Sequence, residues 1–278
     1  MKREIVGSAS EWTGVLKDLF RQMDDGSITL AHIQAFLEHR DPFVAVDSSP
    51  LVAVNSPPPK TSISLVARPL QTMSWQDATT KAYKLLGLSK EHAEFANEFG
   101  VKEVPNQWVL PMVKGEERGE NESIVYKLTC NKVVAGLRKA GSQVYTRYED
   151  LDKEVTKNDR DPNRDGSYAI MVKSNVEADE ENKDKSANML AREDHLGMTL
   201  MERLFLELVY FLATGSHLDE DCWTLCSGSR DSDDGVPCVH WYRDDRDILV
   251  DWCYSSDHVR GTRSRSVSVL PIAKRHNV

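Results

Sequence analysis

One apolar stretch, residues 199–214, constrains the fold of this chain more than any other. It opens with Thr199 and has Glu202 three residues later, a capping box in which each side chain accepts a hydrogen bond from the other residue's backbone N–H. On a helix, the polar residues fall on one narrow stripe, so we expect most of the helix surface to be buried, and we expect the helix to end at Gly215. The apolar residues are Leu200, Met201, Leu204, Phe205, Leu206, Leu208, Val209, Phe211 and Leu212.

The composition predicts a cytoplasmic protein. The chain has 278 residues, of which 40% are hydrophobic, enough for a substantial core. Its net charge of −9 disfavours a general affinity for nucleic acid or for an anionic membrane. No segment has the length and apolarity of a membrane span, and the amino terminus lacks the apolar core of a signal peptide. Five cysteines, an odd number without a disulfide-framework spacing, are typical of a reducing compartment.

Within the first 104 residues, the sequence predicts helical modules on either side of a linker. Residues 1–43 predict two short amphipathic helices that form a helical hairpin. Residues 44–72 are rich in Val, Ser and Pro and include Pro57-Pro58-Pro59, which indicates an extended or irregular linker. Residues 73–104 predict two further helices, residues 74–86 and 89–99, each followed by a glycine.

Residues 105–254 predict an α+β core domain. The expected order is strand 107–113, helix 129–140, strand 142–148, strand 167–172, the apolar helix, and a strand near residue 223, which is the ferredoxin-like order βαββαβ. Two more strands, residues 236–242 and 247–254, predict a β-hairpin that extends this sheet. Residues 255–278 are assigned to a basic tail.

Several motifs resemble one known family. They are NDRDPNRDGSYAI, VEADEENKDKSANMLA, GMTLMERLFLELVYFLATGSHLD, WTLCSGSRDSDDGVP and the ending RSRSVSV, within residues 128–268. In order and wording they resemble an uncharacterised family of hypothetical proteins that occurs in many copies in genome-reduced candidate-phylum bacteria. The resemblance implies a bacterial, cytosolic α/β unit behind a variable front, and it implies no catalytic residue.

The turn after the strand near residue 223 is the candidate anion-binding site. It consists of Ser227, Gly228, Ser229 and Arg230, which combine hydroxyls, a flexible backbone and a guanidinium suited to a phosphate or a carboxylate. The chain contains neither GxxxxGK[ST] nor GxGxxG, so a Walker loop and a dinucleotide fingerprint are excluded. The alternative interpretation is a polar turn between two strands.

Asp161, Asn163 and Asp165, followed by Gly166, match the first half of a calcium-binding loop. Position 12 of that loop is Val172, where an EF-hand needs a glutamate, so an EF-hand is excluded. The alternative is a turn made by Asx side chains for conformational reasons. We therefore predict no metal and no cofactor, with these three residues as the second choice.

Cys222, Cys226, Cys238 and His240 form a second conceivable metal set, in this case for zinc. Their spacing lacks the paired knuckles of structural zinc sites, although alternation along strands places the residues of each pair on one face. Buried free cysteines are the favoured interpretation, because such residues behave as small hydrophobes.

His217 and Asp219, just after the apolar helix, form a conceivable acid–base pair. The sequence ties no nucleophile to them, and a catalytic histidine needs a positioned partner. A structural or solvated histidine is the alternative.

Charge is unevenly distributed along the chain. Residues 149–184 carry 12 acidic and 6 basic side chains, whereas residues 258–278 carry 5 basic side chains and none that is acidic. Solvated surfaces explain both segments. The functional alternatives are a tail that binds nucleic-acid phosphates weakly and without sequence specificity, or a tail that folds back on the acidic segment.

These features favour a non-enzymatic binding or interaction protein with a protein partner. The alternative is an enzyme that acts on a phosphorylated or anionic small molecule through the Ser227–Arg230 turn. A concave pocket containing Arg230 together with a histidine or an acidic residue would favour the enzyme. An exposed apolar or charged patch would favour the binding protein.

Overall fold

The apolar stretch forms a helix, Leu200–Thr214, around which the other elements pack. We describe a computed structural model of the protein, and the described residues are 73–100, 104–118 and 124–270. The helix has the expected capping box between Thr199 and Glu202, and it ends at Gly215, whose φ of 72° is left-handed. It packs against two other helices and against the largest sheet.

The helices of the described residues are α1 (Trp75–Leu86), α2 (Ser89–Phe99), α3 (Cys130–Ala140), α4 (Leu151–Glu154), α5 (Pro162–Asp165), α6 (Ala187–Arg192) and α7 (Leu200–Thr214), with a 3-10 turn at Glu180–Asn182. The strands are β1 (Gln107–Met112), β2 (Glu116–Arg118), β3 (Ile124–Tyr126), β4 (Gln143–Thr146), β5 (Lys157–Asn158), β6 (Tyr168–Lys173), β7 (Trp223–Leu225), β8 (Ser229–Arg230), β9 (Val236–Tyr242), β10 (Asp247–Cys253), β11 (Thr262–Arg263) and β12 (Ser268–Leu270).

Eight of these strands form two main sheets. One has the order β1-β6-β12 and is antiparallel throughout. The other is mixed and has the order β11-β7-β9-β10-β4, in which β4 pairs parallel with β10. The pairs β2-β3 and β5-β8 form two small sheets. The mixed α+β class is therefore confirmed.

The ferredoxin-like topology is not what the strand pairing shows. The elements follow the expected order along the chain, but β1 and β6 lie in one sheet whereas β4 and β7 lie in the other. The β9–β10 hairpin forms as expected, yet it lies between β4 and β7 rather than at an edge. Its seven-residue strands provide more backbone partners than the three-residue β7, so they form the centre of the larger sheet.

Polar residues on α7 are buried together with the apolar ones. Glu202, Arg203 and Glu207 are all 0% exposed, because each is neutralised inside the protein by ion pairs. The polar stripe of α7 is therefore buried together with its apolar surface. Within the described part of the chain, no helix is both long and apolar enough to cross a membrane.

The predicted helices 74–86 and 89–99 are present as α1 and α2, and α1 belongs to the main core. Trp75 Nε1 donates to the carbonyl of Val109 at 2.9 Å, and Tyr83 Oη donates to the carbonyl of Pro111 at 2.5 Å. Both bonds tie α1 to β1, so this segment is packed on the sheet and is not a separate module. The predicted hairpin at 1–43 and the linker at 44–72 lie outside the described residues.

The assignment of residues 255–278 to a basic tail needs correction. Residues 262–263 and 268–270 form β11 and β12, which add one strand to each main sheet. Arg265, counted as a tail cation, is 1% exposed and lies 2.7 Å from the carboxylate of Asp219. Arg263 pairs with Glu180. Their charges are neutralised by these partners, so the expected nucleic-acid contact loses two of its five cations.

Candidate anion-binding site

The Ser227–Arg230 turn lines a surface pocket of about 520 Å³. The turn leads from β7 into β8, and β8 pairs antiparallel with β5, which places Lys157 opposite Arg230. Residues of α6 and the loop that follows it line the same pocket, including Leu190 and His195. Three separate segments of the chain therefore meet around this turn.

The backbone of the turn is fully engaged in internal hydrogen bonds. The N–H groups of Ser227, Gly228 and Ser229 donate to the carbonyls of Leu225, Met198 and Cys226 at 2.9, 3.0 and 2.9 Å. A Cβ atom at Gly228 would lie 2.8 Å from the carbonyl oxygen of Gly197, so this close approach requires glycine. An anion here must be held by side chains and not by a nest of backbone N–H groups.

The side chains that line the pocket carry an excess of positive charge. Lys157, Arg164 and Arg230 contribute three cations, and Asp159 is the one carboxylate of the lining. Arg230 Nη1 donates to the carbonyls of Ser227 and Ser229 at 2.9 and 2.7 Å, which holds the guanidinium against the turn. Its Nε and Nη2 atoms make no hydrogen bond to any described residue, so both remain free for a ligand.

The other two cations are held by partners at the protein surface. Arg164 donates to both carboxylate oxygens of Asp165 at 2.7 Å and to the carbonyl of Asn158 at 3.1 Å. Lys157 Nζ lies 3.6 Å from Asp234, and both side chains are largely exposed. Such exposed pairs are weak, so an anionic ligand can compete for these cations.

A chain of hydrogen bonds reaches the pocket from below the turn. Ser227 Oγ lies 2.9 Å from Ser264 Oγ, and Ser264 Oγ lies 3.1 Å from His195 Nε2. Ser264 is fully buried, whereas Ser227 and His195 are half-buried and line the pocket. A Cβ atom at Gly197 would lie 1.8 Å from Ser227 Oγ, so the glycine makes room for this chain. Burial lowers the pKa of His195, which favours the neutral imidazole.

Asp161, Asn163 and Asp165 form a helix-capping turn. Asp161 Oδ1 accepts from the backbone N–H of Asn163 at 2.8 Å and caps α5. Asp165 Oδ2 accepts from the backbone N–H of Asp161 at 2.9 Å and also pairs with Arg164. The two carboxylates therefore act in local turn contacts, whereas Asn163 Oδ1 is buried and has no hydrogen-bond partner among the described residues.

Cys222, Cys226, Cys238 and His240 do not form a common ligand set. Cys222, Cys226 and Cys238 are buried free thiols, and burial raises the pKa of the Cys226 thiol. His240 Nδ1 lies 2.9 Å from the backbone carbonyl oxygen of Cys222. Among the described residues, the one group of three potential metal ligands with donor atoms within 4.8 Å is Glu177, Asp219 and Cys222.

His217 and Asp219 lie in different surroundings. His217 Nδ1 is 2.9 Å from Glu207 Oε1, and its ring stacks on Trp241 with centroids 3.5 Å apart. Asp219 is 0% exposed and binds arginines instead. The structure therefore does not bring these two residues together as an acid–base pair.

Asp219 is the centre of a buried ion cluster. Arg203 donates Nε and Nη2 to Asp219 Oδ2 at 2.9 and 2.7 Å, and donates Nη1 to Glu207 at 2.8 Å. Arg265 donates to Asp219 Oδ1 at 2.7 Å. Burial alone would raise the pKa of the Asp219 carboxyl, but Arg265 and Arg203 outweigh it and lower that pKa. In the sequence, the i,i+4 spacing of Arg203 and Glu207 is the one local signal of this cluster.

A second feature is the aromatic sheet face, the exposed part of the larger sheet. Tyr145 pairs with Leu249 across β4 and β10, and Leu249 pairs with His240 across β10 and β9. The exposed fractions of Tyr145 and Tyr242 are 54% and 42%. Helix α6 covers the remainder of this side of the sheet. The residues of the aromatic sheet face are Tyr145, Trp223, His240, Tyr242 and Leu249.

Comparison of the chain with protein-family models, with curated proteins and with solved structures gave no match. Function is therefore inferred from the geometry of the two surfaces described above.

Proposed function

We propose that the protein binds an anionic small molecule in the pocket around Ser227–Arg230. The observation that carries this proposal is the gathering of Lys157, Arg164 and Arg230 around one pocket in a chain with a net charge of −9. An acidic protein has no general attraction for anions, so three cations gathered at one pocket favour a specific anion site. Arg164 and Lys157 are paired with Asp165 and Asp234, so Arg230 is the cation that an anion can bind without displacing a carboxylate.

Arg230 is the principal ligand in this proposal. Its position is set by two backbone carbonyls, so little side-chain entropy is lost on binding. Its two free nitrogens suit a bidentate contact to phosphate or carboxylate, a geometry that lysine cannot provide. The volume of about 520 Å³ lies within the range of small-molecule sites.

Titration of the full-length protein with inorganic phosphate by calorimetry tests the proposal. Arg230→Ala removes charged hydrogen bonds and should weaken binding by about tenfold to a hundredfold, whereas Lys157→Ala should have a smaller effect. Arg243→Ala is the control for loss of an arginine charge, because Arg243 pairs with Glu220 at the surface and lies outside the pocket. Equal affinity in wild type and Arg230→Ala would refute the proposal.

A second candidate function is binding of a protein partner through the aromatic sheet face. Beside Tyr145 and Tyr242, the carboxylates of Asp245 and Asp247 line a cleft of about 400 Å³. Arg147 lines the same cleft, but its guanidinium pairs with Asp251 at 2.8 Å. Neither Asp245 nor Asp247 forms an ion pair with a described residue. Aromatic rings next to two uncompensated carboxylates suit a lysine or arginine side chain, so we propose a basic segment of another protein as the occupant.

Binding of a lysine-rich peptide, compared with a glutamate-rich peptide of the same length, tests this candidate. Tyr242→Ser should weaken binding of the lysine-rich peptide by about two- to fivefold, the range of an exposed cation–π contact. Tyr254→Ser is the control, because Tyr254 is 62% exposed but lies outside the aromatic sheet face. Equal binding of both peptides would exclude charge complementarity as the basis of recognition.

A further inference from the structure

We propose that the pocket is catalytic, with Ser227 as the nucleophile of a phosphate monoester hydrolase and Ser264 and His195 as its proton-transfer chain. This inference rests on the proposed anion site and adds a reaction to it. It stands on the two hydrogen bonds, of 2.9 and 3.1 Å, that link Ser227 through Ser264 to His195. A hydroxyl becomes an effective nucleophile when a positioned base can take its proton.

The three residues come from distant parts of the chain and are held by the fold. His195 follows α6, and its backbone N–H donates to the carbonyl of Leu190 at 3.0 Å. Ser264 lies between β11 and β12, where its carbonyl accepts a hydrogen bond from Asn182 at 3.0 Å. Because each of these hydrogen bonds holds the backbone of one member in place, the chain of hydrogen bonds is set before any ligand arrives.

The environment of His195 favours its role as a base. Desolvation is the largest influence and lowers the pKa of His195. The nearby carboxylates oppose this shift, whereas Lys185 adds to it. A neutral imidazole with its proton on Nδ1 can accept from Ser264 through Nε2. The charged groups around the ring are Asp179, Glu181, Lys185 and Glu193.

The cationic lining suits a phosphate monoester. Arg230 and Lys157 line the same pocket as Ser227, where a guanidinium and an ammonium group can stabilise negative charge on the oxygens of a transferring phosphoryl group. The turn offers no free backbone N–H for an oxyanion. Stabilisation by guanidinium and ammonium groups is what phosphoryl transfer uses.

The reaction has two balanced halves. Ser227 Oγ attacks phosphorus, the bond to the leaving oxygen breaks, the Ser227 proton passes to Ser264, and the Ser264 proton passes to His195. The leaving oxygen takes a proton from solvent, and His195 releases its own. Water then attacks phosphorus, the Oγ–P bond breaks, one water proton ends on Ser227, and hydrogen phosphate leaves.

Turnover of p-nitrophenyl phosphate by the full-length protein tests the inference, together with mass spectrometry of acid-quenched samples. The wild type should hydrolyse the ester and carry one phosphoryl group on Ser227. Ser227→Ala should abolish both signals. His195→Gln should slow turnover by about a hundredfold or more at neutral pH. Ser232→Ala is the control, since Ser232 is exposed and lies outside the pocket, and it should match wild type.

The pH profile distinguishes a base from a merely structural histidine. Wild-type turnover should fall in acid with a midpoint below 6.5, the ordinary pKa of histidine, because burial lowers the pKa of His195. His195→Gln should lack this limb. Ser264→Ala keeps the nucleophile but interrupts the proton-transfer chain, so its turnover should also be slow. A pH profile that is unchanged in both variants would overturn the proposed proton-transfer chain.

Phosphate binding separates the two proposals. If wild type and Ser227→Ala both bind inorganic phosphate but neither turns over the ester, the catalytic inference is overturned and the anion site stands. If the wild type binds no phosphate, both proposals fail. Turnover that persists in Ser227→Ala would assign the chemistry to another nucleophile and overturn the inference.

Discussion

Replacement of Asp219 by asparagine should destabilise the protein strongly, because one carboxylate neutralises two buried guanidinium groups. Asp219, Arg203 and Arg265 have side chains that are 0%, 0% and 1% exposed. Breaking one buried ion pair costs about 3–5 kcal/mol, mostly because the remaining charge is left uncompensated. Glu207 still neutralises Arg203 in the variant, so the loss falls chiefly on Arg265. We expect a cost of about 4 kcal/mol.

That cost is large relative to the total stability of a domain, which is about 5–15 kcal/mol. It corresponds to a fall in Tm of about 8–16 °C for a chain of this size. Urea unfolding followed by tryptophan fluorescence measures it. Asp251→Asn is the matched control, since Asp251 pairs with Arg147 at 2.8 Å but at the surface, and it should cost less than about 1 kcal/mol.

The pH dependence gives an independent check with a defined sign. The arginines lower the pKa of Asp219 in the folded protein below its ordinary value of 3.8. The carboxylate therefore stabilises the fold fully above that ordinary value, and its contribution is lost as the pH falls through the lowered pKa. The stability difference between wild type and Asp219→Asn should shrink in acid. A cost equal to that of Asp251→Asn at neutral pH would refute this account of the buried cluster.

Three further substitutions test the packing around α7. Leu208→Ala should cost about 2–5 kcal/mol in urea unfolding, because Leu208 is 0% exposed and its removal leaves a cavity. Glu202→Gln should cost about 3 kcal/mol, because Glu202 neutralises the buried Arg160 at 2.8 Å; a cost near zero would contradict this role. Gly197→Ala should displace Ser227, whose Oγ would lie 1.8 Å from the new Cβ, and a crystal structure would show the shift.

Local signals in the sequence were sufficient for the four long helices but not for the four-residue helices α4 and α5, which were not predicted. The capping box at Thr199, the glycine stops and the apolar period place α1, α2, α3 and α7 within one or two residues of the observed bounds. These features act within a few residues of each other, so no knowledge of the tertiary fold is needed. The β9–β10 hairpin was predictable for the same reason, since its strands are joined by a four-residue turn.

Features that depend on distant residues were not predictable. The sheet partners of β4 and β12 are set by segments about a hundred residues away, and no local pattern reports them. From the sequence alone, Arg265 is assigned to the basic tail, because its partner Asp219 lies 46 residues earlier in the chain and no local pattern links the two. Likewise, the Ser227 turn was recognisable as a candidate, but His195, Ser264 and Lys157 became part of the site only through the fold.

The candidate pocket is joined directly to the amino-terminal end of α7. The backbone N–H of Leu200, the first residue of that helix, donates to Ser229 Oγ at 2.9 Å, and Gly228 N–H donates to the carbonyl of Met198 at 3.0 Å. Arg160 ties Glu202 of the helix to the carbonyl of Gly197. A turn alone would be mobile, but this one is hydrogen-bonded to α7, whose residues are almost all buried. The helix that stabilises the core therefore also holds Ser227 and Arg230 in place, so a loss of packing on α7 should reduce ligand affinity before it unfolds the domain.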